Sequence, residues 1–176
     1  VYWSDTQQMG VYLDDYHTAL DQQMGVSTPC SEMISEIYVP RQSLADFMLV
    51  ARDLCRVHDI DVIYGTVRLI EADTESFLAW AKEPYACIIF NLHTAHDAAS
   101  LEKTGEDFRR LIDLAISFNG SYYLTYHRFA RRDQVLACYP DIVDFLAEKL
   151  KYDPEERFQS NWYQHYKAMF ADDGIA

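Results

Sequence analysis

The chain has 176 residues, enough for one compact domain with a single sizeable core. Hydrophobic residues make up 49% and charged residues 24%, an ordinary soluble balance, and no apolar run reaches the roughly 18 residues that span a bilayer. A formal net charge of −13 argues against a general nucleic-acid or anionic-membrane surface, although Arg128, Arg131 and Arg132 form a local basic cluster.

Residues 1–31 form a polar lead-in punctuated by Gly10, Gly25 and Pro29, with one helical pattern over Tyr12–Met24. "EMISEIYVP" (Glu32–Pro40) reads as a strand stopped by its proline. "RQSLADFMLVARDLCRVHD" is an amphipathic helix with Leu44, Phe47, Met48, Ala51, Leu54 and Cys55 on its apolar stripe. "DVIYGTVRLIE" is a second strand, rich in β-branched residues. "ADTESFLAWAKEP" is a connection with one helical turn, and "YACIIFNLH" is a third strand. "DAASLEKTGEDFRRLIDLAISFNG" is a long helix with Leu101, Phe108, Leu111, Ile112, Ala115 and Phe118 inward, stopped at Asn119-Gly120. "SYYLTYH" (Ser121–His127) is a fourth strand. The order β-α-β-β-α-β predicts an α+β, ferredoxin-like fold: an antiparallel sheet with both helices on one face. Residues 32–128 make this domain, and residues 129–176 read as a helical C-terminal segment packed on it, broken at Pro140 and Pro154.

Strand alternation divides the sheet into two faces. One set is mostly aliphatic and belongs under the helices: Ser35, Ile37, Val39, Ile63, Gly65, Val67, Leu69, Ile88, Phe90, Leu92, Tyr122, Leu124 and Tyr126. The other carries Glu36, Tyr38, Tyr64, Thr66, Arg68, Tyr85, Cys87, Asn91, His93, Tyr123, Thr125 and His127. That face is too aromatic for open solvent and too polar for a core, so it is expected to cover a ligand or a second domain. A substrate wall and a non-catalytic inter-domain or homodimer contact account for it equally well. Glu36 is the general acid/base candidate by residue type, and a salt bridge to Arg68 is the structural alternative. His93 and His96 have the spacing of a metal pair but no third ligand, so no metal is assigned.

Cys30, Cys55, Cys87 and Cys138 are scattered without a Cys-x-x-Cys pair, which suits reduced thiols and a cytoplasmic location. Only 6 glycines are present, with no GxGxxG or GxxxxGK[ST] run to cradle a phosphate. The chain opens at Val1 rather than Met, without a visible signal peptide, and is read as a piece of a longer protein.

The block "YHRFARRDQVLACYPDIVDFLAEKLKYDPEERFQSNW" resembles the C-terminal end of FAD-linked oxidases of the vanillyl-alcohol oxidase superfamily, through Tyr139-Pro140, Phe145, Asp153-Pro154 and Phe158. "SEIYVPR" (Ser35–Arg41) resembles the glutamate-bearing strand that opens that family's substrate domain, and "VRLIEAD" its second strand. The nearest branch is the group of aldonolactone oxidase (D-arabinono-1,4-lactone oxidase-like, acting on CH–OH donors), alditol oxidase and decaprenylphosphoryl-ribose oxidase. The resemblance implies a cap domain that covers the flavin of an N-terminal FAD-binding domain in the same polypeptide. It implies FAD held mainly by that absent domain and a small hydroxylated substrate, a sugar lactone, polyol or sugar derivative. It is compatible with a homo-oligomer and with peripheral attachment to a membrane.

Carried over by position, Glu36 matches the active-site glutamate that binds a substrate hydroxyl. The substrate contacts implied by position are Tyr38, Cys87, Asn91, His93 and Tyr123, to which the polar face of the strand pattern adds Tyr64 and Arg68. Tyr126 falls where many members place a lysine against the flavin. That charge is expected from His127 or Arg128, with His127 favoured because alternation places it beside Tyr123 and Thr125. Glu36, Tyr126 and His127 are thus the implied catalytic residues, and Tyr126, His127 and Arg128 the implied cofactor contacts. The alternative function is a non-catalytic ferredoxin-like module for ligand binding or oligomerisation.

Overall fold

A computed structural model describes residues 28–173, together with Gln22, Gln23 and Gly25. Of the lead-in, Gln22, Gln23, Gly25 and residues 28–31 are described, and its helix over Tyr12–Met24 lies outside the described residues apart from Gln22 and Gln23. The strands are β1 (Cys30–Pro40), β2 (Val62–Ile70), β3 (Tyr85–Ala95) and β4 (Ser121–Tyr122). The helices are α1 (Leu44–Val57), α2 (Ala98–Ser117), α3 (Arg132–Cys138), α4 (Ile142–Tyr152) and α5 (Asn161–Met169). The sheet runs β2-β3-β1-β4 with every pair antiparallel, the ferredoxin-like arrangement.

The long central pair sets the register, with Glu36 opposite Ile89, Ile37 opposite Ile88 and Tyr38 opposite Cys87. Directly opposed residues share a face, so the aliphatic side of the sheet is continuous across β1 and β3. Ile37, Val39, Ile88, Phe90 and Leu92 pack there against Phe47 and Ala51 of α1 and Phe108, Leu111, Ile112 and Ala115 of α2. Val135, Ile142, Leu146, Tyr166 and Phe170 join the same core, so the C-terminal helices close one end of it. Gln134 ties α3 to α2, donating to the Arg109 carbonyl at 2.8 Å.

The pattern reads too much burial into three places. On β2, Val67 and Leu69 face the helix side but are 47% and 64% exposed, because β2 is an edge strand beyond the helices' cover. Met48 and Leu101 lie at the margins of their stripes and are also exposed. The connection after β2 forms no helical turn; Asp73 Oδ1 instead accepts from the Glu75 and Ser76 amides at 3.0 and 2.9 Å.

The largest departure is β4, which stops after two residues instead of running to His127. The Tyr123 amide still reaches the Glu36 carbonyl at 2.9 Å, but the next ladder carbonyl, that of Ile34, goes to a side chain, and side chains also hold the outward-facing carbonyls of Tyr122 and Leu124. Tyr139 donates its phenol to the Tyr122 carbonyl, and Trp162 Nε1 donates to that of Leu124 at 3.1 Å. His127 Nε2 takes the Ile34 carbonyl of β1 at 2.8 Å. Side chains from the C-terminal helices thus replace a strand neighbour, and Leu124–Tyr126 turn away.

The joint between α4 and α5 is built on Asp153. Its carboxylate accepts from Lys149 Nζ at 2.7 Å and from the amides of Arg157 and Phe158 at 2.9 and 3.0 Å. The Lys149 bond first, then the amides, hold its pKa down to about 2. A depressed carboxylate contributes stability that is fully present above the unfolded value near 3.8 and is lost as pH falls towards 2. Asp153→Asn removes that contribution at every pH. The gap between wild-type and variant melting temperatures is therefore expected to hold near neutrality and to shrink below about pH 4. A gap that stays constant in acid would show that charge at Asp153 plays no part.

Among the described residues no helix is long and apolar enough to cross a membrane. The four cysteines are free thiols, with Cys87 and Cys138 buried.

Candidate functional site

The sheet face away from α1 and α2 is where the sequence concentrates its polar and aromatic residues. Half of it is covered by the chain's own 71–84 connection. Trp80 stands edge-on to Tyr38 with centroids 5.5 Å apart, and Tyr38, Ala81, Tyr85, Cys87 and Ile89 form a second small core. Tyr38 and Cys87 are 0% and 1% exposed and reach no solvent in this conformation.

Glu36 lies at the rim of this covered half. Tyr38 donates its phenol to Glu36 Oε1 at 2.9 Å, and the Cys87 thiol donates to the same oxygen at 3.0 Å. Burial first, and then Glu36, pushes both groups well above their usual pKa range, so each stays a protonated donor. Cys87 is therefore a support for the carboxylate rather than a nucleophile. A carboxylate has about four acceptor lone pairs. With two donors on one oxygen, Glu36 keeps capacity for hydroxyls of a ligand.

Tyr126 stands over the same carboxylate from the turn after β4 and is 48% exposed. Partial burial, then the Glu36 charge, raises its pKa and keeps the phenol neutral. Tyr123 packs edge-on to it, with ring centroids 4.6 Å apart. Arg68 sits opposite Cys87 on β2, exposed, and its charge acts on both Cys87 and Tyr126. Among the described residues it makes no ion pair with Glu36, so the salt bridge considered for that pair does not form.

The other predicted residues disperse. His127 turns to the helix side: its ring lies 4.5 Å from that of Phe108 and stacks on Phe129. Burial lowers its pKa, and since a carbonyl only accepts, its Nε2 carries the hydrogen that binds Ile34. The expectation that alternation places His127 beside Tyr123 and Thr125 thus fails, because the strand ends before it. Asn91 is 2% exposed and donates to Glu32 Oε2 at 2.6 Å. His93 faces Asp61 at 3.3 Å, whereas His96 meets Ser31 Oγ at 2.7 Å and Asp97 caps α2. Tyr64 is half-exposed on the β2 edge. Among the described residues no cluster of three metal-ligating side chains forms.

Beside Tyr123 opens an apolar cleft of about 440 Å³ that the strand pattern did not reveal. Its walls are Phe77, Trp80, Tyr123, Tyr139, Phe145 and Trp162. Phe145 packs between Phe77 and Trp162, its centroid 6.1 Å from each. The signal in the sequence was the aromatic density of "ESFLAW" and "SNWYQHY", but only folding brings these segments to one place. Glu36, Tyr126 and Tyr123 therefore form a polar centre bordered by an aromatic trough.

A scan of protein-family models found no match to this chain, and a search of curated proteins found none either.

Proposed function

We propose that this chain is the substrate-binding cap of an FAD-dependent oxidoreductase that oxidises a hydroxyl of a sugar lactone, polyol or sugar derivative. The observation that carries the reading is that Glu36 and Tyr126 lie beside an aromatic trough, which Tyr123 borders, on the sheet face the sequence marks as a cover. The fit to FAD is at one end only. The trough suits a planar ring system, while the low glycine count and lack of a phosphate-binding loop leave the rest of the cofactor to a separate N-terminal domain. Bound flavin would supply the two-electron acceptor for the carbinol carbon.

The chain's own residues bind, orient and move a proton. Glu36, braced by Tyr38 and Cys87, accepts hydrogen bonds from substrate hydroxyls. Tyr126 keeps its phenol proton and bridges between a ligand oxygen and Glu36, a path by which a hydroxyl proton leaves. Of the three residues around the position where relatives carry lysine, Tyr126 is neutral and His127 is turned inward. Arg128 is exposed and permanently charged, and it replaces His127 as the candidate for that role.

A longer protein carrying the preceding sequence should purify with the absorbance spectrum of bound flavin. A colourless, well-folded longer protein would sink the proposal. A second reading, a ligand-binding or oligomerisation module without chemistry, draws on the exposed Val67 and Leu69 along the free edge of β2.

A further inference from the structure

Cations in this acidic chain are mostly neutralised. Among the described residues every arginine except Arg56, Arg68 and Arg128 pairs with a carboxylate. Arg68 and Arg128 both lie next to Tyr126, whereas Arg56 is on the last turn of α1. Two unpaired guanidiniums around one tyrosine are unexpected where net charge is −13 and acids are plentiful.

Arg128 also lines a separate cleft of about 420 Å³, with Thr125, Tyr126, Phe129, Trp162 and His165, and no carboxylate stands in its wall. The remaining wall residue, His127, is spent on the Ile34 carbonyl. His165 Nε2 is shielded from solvent and has no hydrogen-bond partner. Burial and then the Arg128 charge favour the neutral form of His165. The cleft thus holds a fixed positive charge, the hydroxyls of Thr125 and Tyr126 and the His165 ring, between the aromatic side chains of Phe129 and Trp162.

We propose that this cleft is a subsite for an oxyanion, the phosphate or carboxylate of a small ligand. The Arg128 guanidinium grips it through paired N–H donors, the Thr125 hydroxyl donates beside it, and the His165 ring next to them senses its charge. An anion there also supplies the charge that Arg128 lacks and restores protonation of His165. The proposal draws on the same guanidinium that the flavin reading sets beside the cofactor, but it concerns anion binding by this chain and is tested without turnover.

The test is an NMR titration of the 176-residue chain, following the His165 ring signals, with inorganic phosphate and with acetate as probes. At least one anion should give a saturable shift and raise the His165 pKa. Arg128→Gln should weaken binding about ten-fold or more, as expected for a charge-assisted pair. Arg128→Lys should fall between the two, and Arg56→Gln should bind like wild type. Ribose 5-phosphate and flavin mononucleotide, which carry the same phosphate, separate a substrate source from a cofactor source. Tighter binding of either than of inorganic phosphate supports the subsite and names its source. No saturable shift with either probe, equal binding by Arg128→Gln, or an equal loss in Arg56→Gln overturns the proposal. Where phosphate is the anion that binds, so does a failure of both phosphorylated compounds to bind more tightly than phosphate itself.

Discussion

In the proposed longer flavoprotein, Glu36→Gln should lower turnover by about 100-fold or more while flavin content stays at the wild-type level, the scale of losing a positioned acid/base group. The substitution keeps the shape and the oxygen that Tyr38 and Cys87 hold, but removes the charge. Because Glu36 is at the rim of the covered half rather than in the main core, the fold should tolerate the change. Steady-state kinetics with the flavin absorbance as an internal count of intact sites gives the answer. Unchanged turnover with full flavin would remove Glu36 from the chemistry and favour the non-catalytic reading. A colourless variant beside a yellow wild type would point instead to a structural role.

Gly120→Ala should cost about 3 kcal/mol or more of folding stability, at the upper end of overpacking penalties. A Cβ at Gly120 would lie 2.1 Å from the Tyr38 carbonyl oxygen and 2.8 Å from that of Ala115. Both are backbone atoms, so no rotamer change makes room. The Gly120 amide also binds the Ala115 carbonyl at 2.8 Å, closing α2, and Asn119 just before it has a left-handed φ of 58°. In urea the midpoint should fall by roughly 1–2 M, given typical denaturant slopes. Asn119→Gly is the control, since glycine accepts a left-handed φ, and it should stay within about 0.5 kcal/mol of wild type. A Gly120→Ala midpoint equal to wild type would mean that the turn and β1 separate easily. The site would feel the change as well, because Tyr38 braces Glu36 and Tyr85 donates to the Asn119 carbonyl at 3.2 Å.

The two substitutions mark different layers of one arrangement. Gly120 lets α2 return close against β1, and that approach sets where β1 lies. β1 then presents Glu36 to the open face with Tyr38 and Cys87 behind it. A ligand would meet Glu36, Tyr126, Tyr123 and Arg68, while Tyr38, Cys87 and Asn91 act from beneath the surface.

By itself the sequence determined the element order, the antiparallel sheet and the face of β1 and β3 that each residue occupies. Those follow from local periodicity: apolar residues at alternate positions in a strand, or three to four apart in a helix, have only one face to bury. Glu36 and Tyr123 could be marked as neighbours on that basis, whereas alternation put Tyr126 on the opposite face and only the family resemblance brought it to the site; in the structure it lies by Glu36 because the strand ends before it. Tertiary structure alone decided where β4 ends, because His127 takes the Ile34 carbonyl that the next ladder pair would use, while Tyr139 and Trp162 hold the outward carbonyls of Tyr122 and Leu124, side chains whose reach no periodicity encodes. It turned His127 to the helices and left Arg128 outward. It also buried Tyr38 and Cys87 under a connection whose own pattern is irregular. The aromatic trough and the Arg128–His165 cleft were likewise unreadable in advance, since their walls come from segments far apart in the chain and meet only when the C-terminal helices close on the sheet.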